Sequence, residues 1–168
     1  MNITNCTLCD NCIKRKNIVS GYGNVNSGNI ILLDQPRYKQ DKTGSFIGDS
    51  DINTFLDFMA KVGLNENNAY FTNLVKCRSV SENYFQEALE ICTTNHLAKE
   101  YRTGNKKKLM ITVGKIVSKY ILGTEDFDFF QPYRHVNIII IPVYPVTAFT
   151  VSGKKLINKL HVIKKYVA

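Results

Sequence analysis

The chain has 168 residues, of which 44% are hydrophobic and 21% charged, which predicts one globular domain with its own core and excludes disorder along most of its length. Its net charge of +8 favours a polyanionic partner, with nucleic acid ahead of an anionic membrane. The longest apolar run, 136–146, is too short and too interrupted to span a bilayer, and no secretory signal is visible, so we expect a cytoplasmic protein without a membrane partner.

Short apolar runs alternate with segments of helical period from residue 29 onward. In chain order they predict a strand at 29–33, a helix at 51–62, a strand at 69–75, a helix at 82–98, a strand at 109–113, a helix at 116–122, a strand at 136–142 and a helix at 152–167. This alternation predicts an α/β fold: a three-layer α/β/α sandwich with a mostly parallel, four-stranded central sheet. We expect a single domain over 1–168, with a polar, cysteine-rich segment at 1–16 packed on it.

The five cysteines have a spacing typical of metal ligands. Their odd number, in a chain without a visible export signal, argues against a disulfide framework. Cys6 and Cys9 stand in one short run with Cys12, whereas Cys77 follows the second predicted strand and Cys92 lies on the next helix. Two such pairs would close a long loop around one centre, and both zinc and a [4Fe–4S] cluster accept four thiolates. The alternative is that Cys77 and Cys92 are small buried hydrophobic residues.

Five segments, in order along the chain, resemble the motifs of one protein family. The segments are CTLC at 6–9 with GYGN at 21–24, DKTGSFIG at 41–48, YFTNLVKCR at 70–78, Cys92, and TVGK at 112–115. Together they resemble family 4 uracil-DNA glycosylases, the iron–sulfur branch of the uracil-DNA glycosylase superfamily. The resemblance implies a uracil-DNA glycosylase-like fold and a [4Fe–4S] cluster on Cys6, Cys9, Cys77 and Cys92, with zinc as the fallback. Cys12 matches none of these motifs and is either a bystander or an alternative ligand to Cys9.

The resemblance also implies a pocket for a base flipped out of the DNA. Such a pocket needs an aromatic face for stacking and an amide for the pyrimidine edge. Phe46 occupies the position of the stacking phenylalanine, Asn73 that of the amide, and Gln35 lies in the motif beside them. The alternative roles are a core position for Phe46 and a strand-end cap for Asn73.

The catalytic motifs depart from the family pattern. Where the family has G-E-(A/G)-P-G, this chain reads LDQPR at 33–37, so Asp34 keeps a carboxylate but both glycines are absent. Where the family has H-P-S, the chain reads YPV at 144–146, and the histidine that would stabilise the departing base is either replaced by Tyr144 or deleted just after it. Asp34 and Tyr144 remain as the catalytic candidates. A lost electrostatic stabiliser costs about 10²- to 10³-fold in rate, so we expect lost or weak catalysis.

Basic residues flank these motifs and are predicted to contact DNA, single-stranded or duplex, with Tyr38 and Phe149 stacking on bases. They are Arg37, Lys39, Lys42, Lys76, Arg78, Lys154 and Lys155. The alternative is an ordinary solvated surface.

Three functions are compatible with these observations. The first is a DNA-binding accessory factor in replication or repair, for example a partner of a DNA polymerase, in a phage or mobile element. The second is an active glycosylase that uses Asp34, with Tyr144, on uracil or a modified pyrimidine. The third is a reader that binds uracil through Phe46 and Asn73 without excising it.

Overall fold

The fold is an α/β sandwich, seen in a computed structural model that describes residues 3–167. The strands in that range are β1 (Tyr22–Gly23), β2 (Asn29–Leu33), β3 (Tyr70–Asn73), β4 (Leu109–Val113), β5 (Tyr133–His135) and β6 (Ile138–Val143). The helices in the same range are α1 (Asn11–Lys14), α2 (Tyr38–Thr43), α3 (Ser50–Lys61), α4 (Glu82–Cys92), α5 (Ala98–Arg102), α6 (Lys115–Leu122) and α7 (Val146–Lys164). A π-helical turn, Thr93–Leu97, joins α4 to α5.

The predicted parallel sheet is confirmed, but it has six strands instead of four. The order is β1-β3-β2-β4-β6-β5, in which β3, β2, β4 and β6 run parallel and the two edge strands run antiparallel. The edge strands escaped sequence analysis because β1 has only two residues and β5 only three, with no apolar run. Such short edges also limit pairing with other chains.

Alternate residues of the central strands bury two separate cores. Ile31, Phe71 and Ile111 belong to the core under α3 and α7, whereas Ile30 and Met110 belong to the core under α4 and α6. At the ends of β2 and β3, Leu33 and Asn73 are register partners and therefore share the α3/α7 face. This face will matter for the candidate site.

The last helix differs from its prediction. It begins at Val146, six residues earlier than expected, and is kinked at Ser152, where φ is −131°. Phe149 therefore lies inside the helix and is only 1% exposed, with its ring edge-on to Phe55 at 5.1 Å between centroids. The prediction that Phe149 stacks on DNA bases is wrong, because its ring is buried in the core.

Polar contacts attach the N-terminal segment to the sandwich. Both the Lys16 and the Asn17 backbone N–H groups donate to the Asp41 carboxylate, and the Asn17 side chain donates to the Asp41 carbonyl at 2.7 Å. Further along the chain, Val19 is fully buried and its N–H donates to the Lys76 carbonyl. No helix within residues 3–167 is both long and apolar enough to cross a membrane.

Candidate functional site

A cleft of about 280 Å³ opens at the carboxyl ends of the parallel strands. It is lined by residues at or just after the ends of β2 (33–35 and 37), β4 (113–116) and β6 (145–147). Ligands of open α/β sheets bind at this edge, because the loops there connect strands to helices on opposite faces. Gly114 makes the turn from β4 into α6 with φ of +88°, a conformation that side chains with a Cβ rarely adopt.

Two helices begin at the cleft. Neither Gly114, before α6, nor Pro145, before α7, caps its helix with a side chain. The first N–H groups of a helix have no intrahelical acceptor and carry a partial positive charge, so both helix ends favour an anion in the cleft. The exposed Lys115 at the start of α6 adds a full positive charge there.

Asp34 is the acidic residue of the cleft lining. Burial raises the pKa of its carboxyl above the usual value, and the backbone N–H groups of Asp34 and Gln35 and the charge of Arg37 oppose that rise only in part. Gln35 also lines the cleft, but its side-chain oxygen already accepts the Ser79 N–H at 2.7 Å.

Arg37 is held by two carboxylates. Its Nε lies 3.2 Å from Asp49 Oδ1 and its Nη2 lies 2.6 Å from Asp51 Oδ2. Asp49 also caps α3, by accepting the N–H groups of Asp51 and Ile52. The guanidinium is thus engaged with the start of α3, and this geometry does not favour the predicted contact between Arg37 and a phosphate.

Tyr144 does not line the cleft. Its ring packs against Phe129 at 4.6 Å and Phe130 at 5.2 Å between centroids, and Lys159 Nζ lies 5.7 Å from its ring centroid. This position does not support the predicted catalytic role of Tyr144. The chain has three histidines, and all three lie in the described residues outside the lining of the cleft.

Asn73 and Phe46, the predicted base-pocket pair, are both buried. Asn73 is 1% exposed, and neither atom of its side-chain amide has a hydrogen-bond partner among the described residues. A buried polar group without a partner is unusual and indicates a ligand or an ordered water. Phe46 is 5% exposed and lies parallel to Tyr22, with 6.2 Å between ring centroids. In this structure neither Asn73 nor Phe46 lines the cleft, so the proposed pocket is closed.

The basic residues separate into exposed and buried ones. Lys39, Lys42, Lys154 and Lys155 are exposed, and Arg78 lies over the exposed ring of Tyr38 at 5.7 Å. Lys76 is different, because it is 1% exposed and its ammonium lies 2.6 Å from the Glu100 carboxylate. The prediction that Lys76 contacts DNA is wrong, since its charge is buried in an ion pair.

The four predicted metal-binding cysteines lie near one another. Burial raises the pKa of the Cys9, Cys77 and Cys92 thiols, that of Cys77 to about 12. Negative charge on Cys9 raises the pKa of both Cys77 and Cys92, and charge on Cys6 raises that of Cys9 and Cys92. The geometry agrees, because the Arg15 guanidinium contacts both Cys77 Sγ and the Cys6 carbonyl.

Nitrogen groups surround these sulfurs. The Arg15 guanidinium lies 3.7 Å from Cys77 Sγ, the Lys76 backbone N–H lies 3.5 Å from Cys92 Sγ, and His96 Nε2 lies 3.3 Å from Cys6 Sγ. Sequence analysis missed Arg15 and His96. His96 could have been found, because it stands four residues after Cys92 on a helical stretch and so falls on the same face.

The cysteines do not form a compact ion site. Within residues 3–167 no three His, Cys, Asp or Glu side chains converge closely enough to hold one metal ion. Thiolates bound tetrahedrally to one zinc, each about 2.3 Å from it, would have to lie roughly 4 Å apart.

Comparison with known proteins identifies relatives of the chain. Residues 20–164 match the family model described as the Uracil DNA glycosylase superfamily. The chain is 23% identical over 160 residues to the Type-4 uracil-DNA glycosylase of Thermotoga maritima, which covers 95% of this chain and 77% of that protein. It is 24% identical over 129 residues to the Type-4 uracil-DNA glycosylase of Archaeoglobus fulgidus. That alignment covers 76% of this chain and 63% of the relative, less than two thirds of the relative's length. The resemblance found in the motifs is confirmed.

The raised pKa of Asp34 makes a prediction about stability. Because folding favours the protonated carboxyl, Asp34 adds no penalty below its unfolded pKa and an increasing penalty as the pH rises through the folded pKa. The variant Asp34→Asn should therefore gain stability relative to the natural protein as the pH rises from about 3.5 to about 7. Urea unfolding across this range measures the difference. A difference that is constant, or that shrinks with pH, would contradict the burial of this carboxyl.

Proposed function

The chain belongs to the uracil DNA glycosylase superfamily, and from that premise we propose that it is a DNA-binding protein that keeps the residues of a base pocket, closed in this structure, but excises uracil weakly or not at all. A glycosylase must hold the flipped base and stabilise the negative charge that develops on it as it leaves. Phe46 and Asn73 would serve the first task. For the second task, the chain lacks the histidine of the family's H-P-S motif.

The wall of the cleft after β6 carries this proposal. Pro145, Val146 and Thr147 form it, while the ring of Tyr144 packs against Phe129 and Phe130 instead. No imidazole among the described residues lines the cleft, and the tyrosine hydroxyl that could replace one belongs to a ring outside it. Leu33 adds a buried side chain beside Asn73, where a glycine would leave room for a nucleotide.

The alternative of an active glycosylase is favoured by one observation. Asp34 lines the same cleft as the uncapped ends of α6 and α7. Helix N-termini can stabilise developing negative charge, and a carboxylate can position a water molecule. An enzyme of this kind would act on uracil or a modified pyrimidine through Asp34.

The DNA-binding surface is proposed to include the exposed part of α2 and the second half of α7. Lys39 and Lys42 lie on α2, and Lys154 and Lys155 follow the kink in α7. Tyr38, 60% exposed beneath the Arg78 guanidinium, offers a ring for base stacking. Lysines of this kind bind DNA phosphates and release counterions.

The cysteine site is proposed to hold a [4Fe–4S] cluster on Cys6, Cys9, Cys77 and Cys92. The resemblance of the motifs to family 4 uracil-DNA glycosylases supports a cluster, with zinc as the fallback. When bound, the cluster would supply a covalent link between the N-terminal segment, the loop after β3 and α4. A role as partner of a DNA polymerase stays a prediction from the sequence.

DNA binding should weaken steeply as salt increases. The double variant Lys154→Glu/Lys155→Glu should lower affinity for a single-stranded oligonucleotide roughly tenfold or more near 0.1 M salt and reduce the salt slope, because each lost phosphate contact removes about 0.7 from that slope. The matched variant Lys106→Glu/Lys108→Glu makes the same change of charge just before β4, at the amino ends of the parallel strands, and should lose much less affinity. Fluorescence anisotropy at several salt concentrations measures both. Equal losses would show that net charge, and no particular face, drives binding.

Uracil excision should be at least about 10²-fold slower than in an intact site, measured in single turnover with the Thermotoga maritima relative as the positive control. If the natural protein is inert, Asp34→Ala changes nothing. Tyr144→His should restore little, because position 144 lies outside the cleft and Leu33 still occupies the space beside Asn73. Rapid excision that Asp34→Ala abolishes would establish the alternative function and reject the proposed one.

Protein purified without oxygen should be brown and contain about four iron atoms and four sulfide ions per chain. Cys77→Ser should remove the colour and lower the melting temperature, whereas Cys12→Ser should retain both, because Cys12 is outside the proposed ligand set. Stoichiometric zinc would replace the cluster assignment but keep the ligands. A metal-free protein with an unchanged melting temperature would reject a metal centre altogether.

A further inference from the structure

A buried ion pair lies directly behind the candidate base pocket. Lys76 and Glu100 are 1% and 0% exposed, and all three donors of the Lys76 ammonium are used: by Glu100 Oε2 at 2.6 Å, Thr72 Oγ1 at 2.6 Å and the Asn73 carbonyl at 2.7 Å. The Tyr70 hydroxyl donates to the other Glu100 oxygen at 3.0 Å, and the Thr72 hydroxyl donates to Oε2 at 2.9 Å. The network is fully hydrogen-bonded.

Stability alone does not account for such a pair. Removing two charges from water is costly, and apolar residues of similar size often replace a buried pair without loss of stability. A buried ionic group is better suited to fixing one geometry. Here the geometry it fixes is the main chain at Asn73, because the ammonium binds the carbonyl of that residue.

The side chain of Asn73 depends on its main chain for its position. Neither atom of its amide has a partner among the described residues, so no hydrogen bond to the protein orients it. The strand alternation places this side chain on the α3/α7 face and Thr72, with Lys76 and Glu100, on the other. The ion pair therefore holds the main chain of Asn73 from the opposite face of the strand and takes up neither atom of its amide.

We propose that Lys76 and Glu100 are positioning residues that fix Asn73 so that its amide recognises the edge of a pyrimidine. This inference rests on the proposed function, since it assigns a purpose to the base pocket. Pairing with a buried acceptor or donor discriminates sharply between bases, because the wrong base leaves polar groups unpaired. Uracil and cytosine differ at this hydrogen-bonding edge.

The experiment compares the affinities for two single-stranded oligonucleotides that differ by one uracil or cytosine. The natural protein should prefer uracil, and Asn73→Ala should remove the preference. Lys76→Met and Glu100→Gln should each lower the uracil-to-cytosine affinity ratio by about two- to tenfold, the value of one hydrogen bond, and leave affinity for the cytosine strand unchanged because neither side chain is exposed.

Two further variants separate positioning from folding. Lys107 is another buried lysine, and its ammonium donates to the carbonyls of Val25, Ser27 and Thr103 at the other edge of the sheet. Lys107→Met should leave the ratio unchanged. The double variant Lys76→Met/Glu100→Leu should recover thermal stability through apolar packing but keep the reduced ratio, even where a single variant folds poorly.

The outcomes are distinguishable. A natural protein without preference for uracil would reject the base pocket, and the positioning inference with it. A preference that Asn73→Ala removes but the Lys76 and Glu100 variants retain would overturn the positioning inference alone. Recovery of the ratio together with stability in the double variant would show a merely structural role, and would also overturn it.

Discussion

The ammonium of Lys76 is buried and needs three hydrogen-bond acceptors from the protein, because water does not reach it. This requirement constrains the path of the chain after β3. Burial lowers the pKa of Lys76, and the charge of Glu100 opposes that effect. The same residue donates its backbone N–H to Cys92 Sγ and accepts the Val19 N–H at its carbonyl. Lys76 is thus bonded on one side to the strand that carries Asn73 and on the other to the cysteine site and the N-terminal segment. Both the base pocket and the cysteine site therefore depend on the path of the main chain at Lys76.

The carboxyl edge of the sheet has an electrostatic character suited to DNA. Two uncapped helix ends and Lys115 make the cleft favourable for an anion, whereas Arg37 is neutralised by Asp49 and Asp51. These features attract a phosphate without requiring a catalytic group. The proposed separation of DNA binding from excision rests on this difference, because such an anion site does not need the groups that would stabilise a departing base.

The N-terminal segment shows how the cysteine site is held in place. Asp41 accepts from the main chain of Lys16 and Asn17, and Arg15 donates to the Cys6 carbonyl as well as lying near Cys77 Sγ. Hydrogen bonds of this kind contribute about 1 kcal/mol each, less than burial of a large apolar side chain. A metal centre would therefore add the strongest connection between this segment and the sandwich.

The sequence by itself determined the parallel centre of the sheet and the motifs whose residues line the cleft, because apolar periodicity and residue spacing are local properties of the chain. The length of β1 and β5, the early start of α7 and the burial of Phe149 were decided by tertiary packing. The sequence shows a lysine at 76 and a tyrosine at 144 as free polar groups. Only the fold brings Glu100 to Lys76 across 24 residues, and so buries the charge of Lys76. Only the fold packs the Phe129 ring against Tyr144, and so keeps the Tyr144 ring outside the cleft. Residues distant in sequence pack around a side chain and determine its burial, and a buried side chain cannot contact DNA.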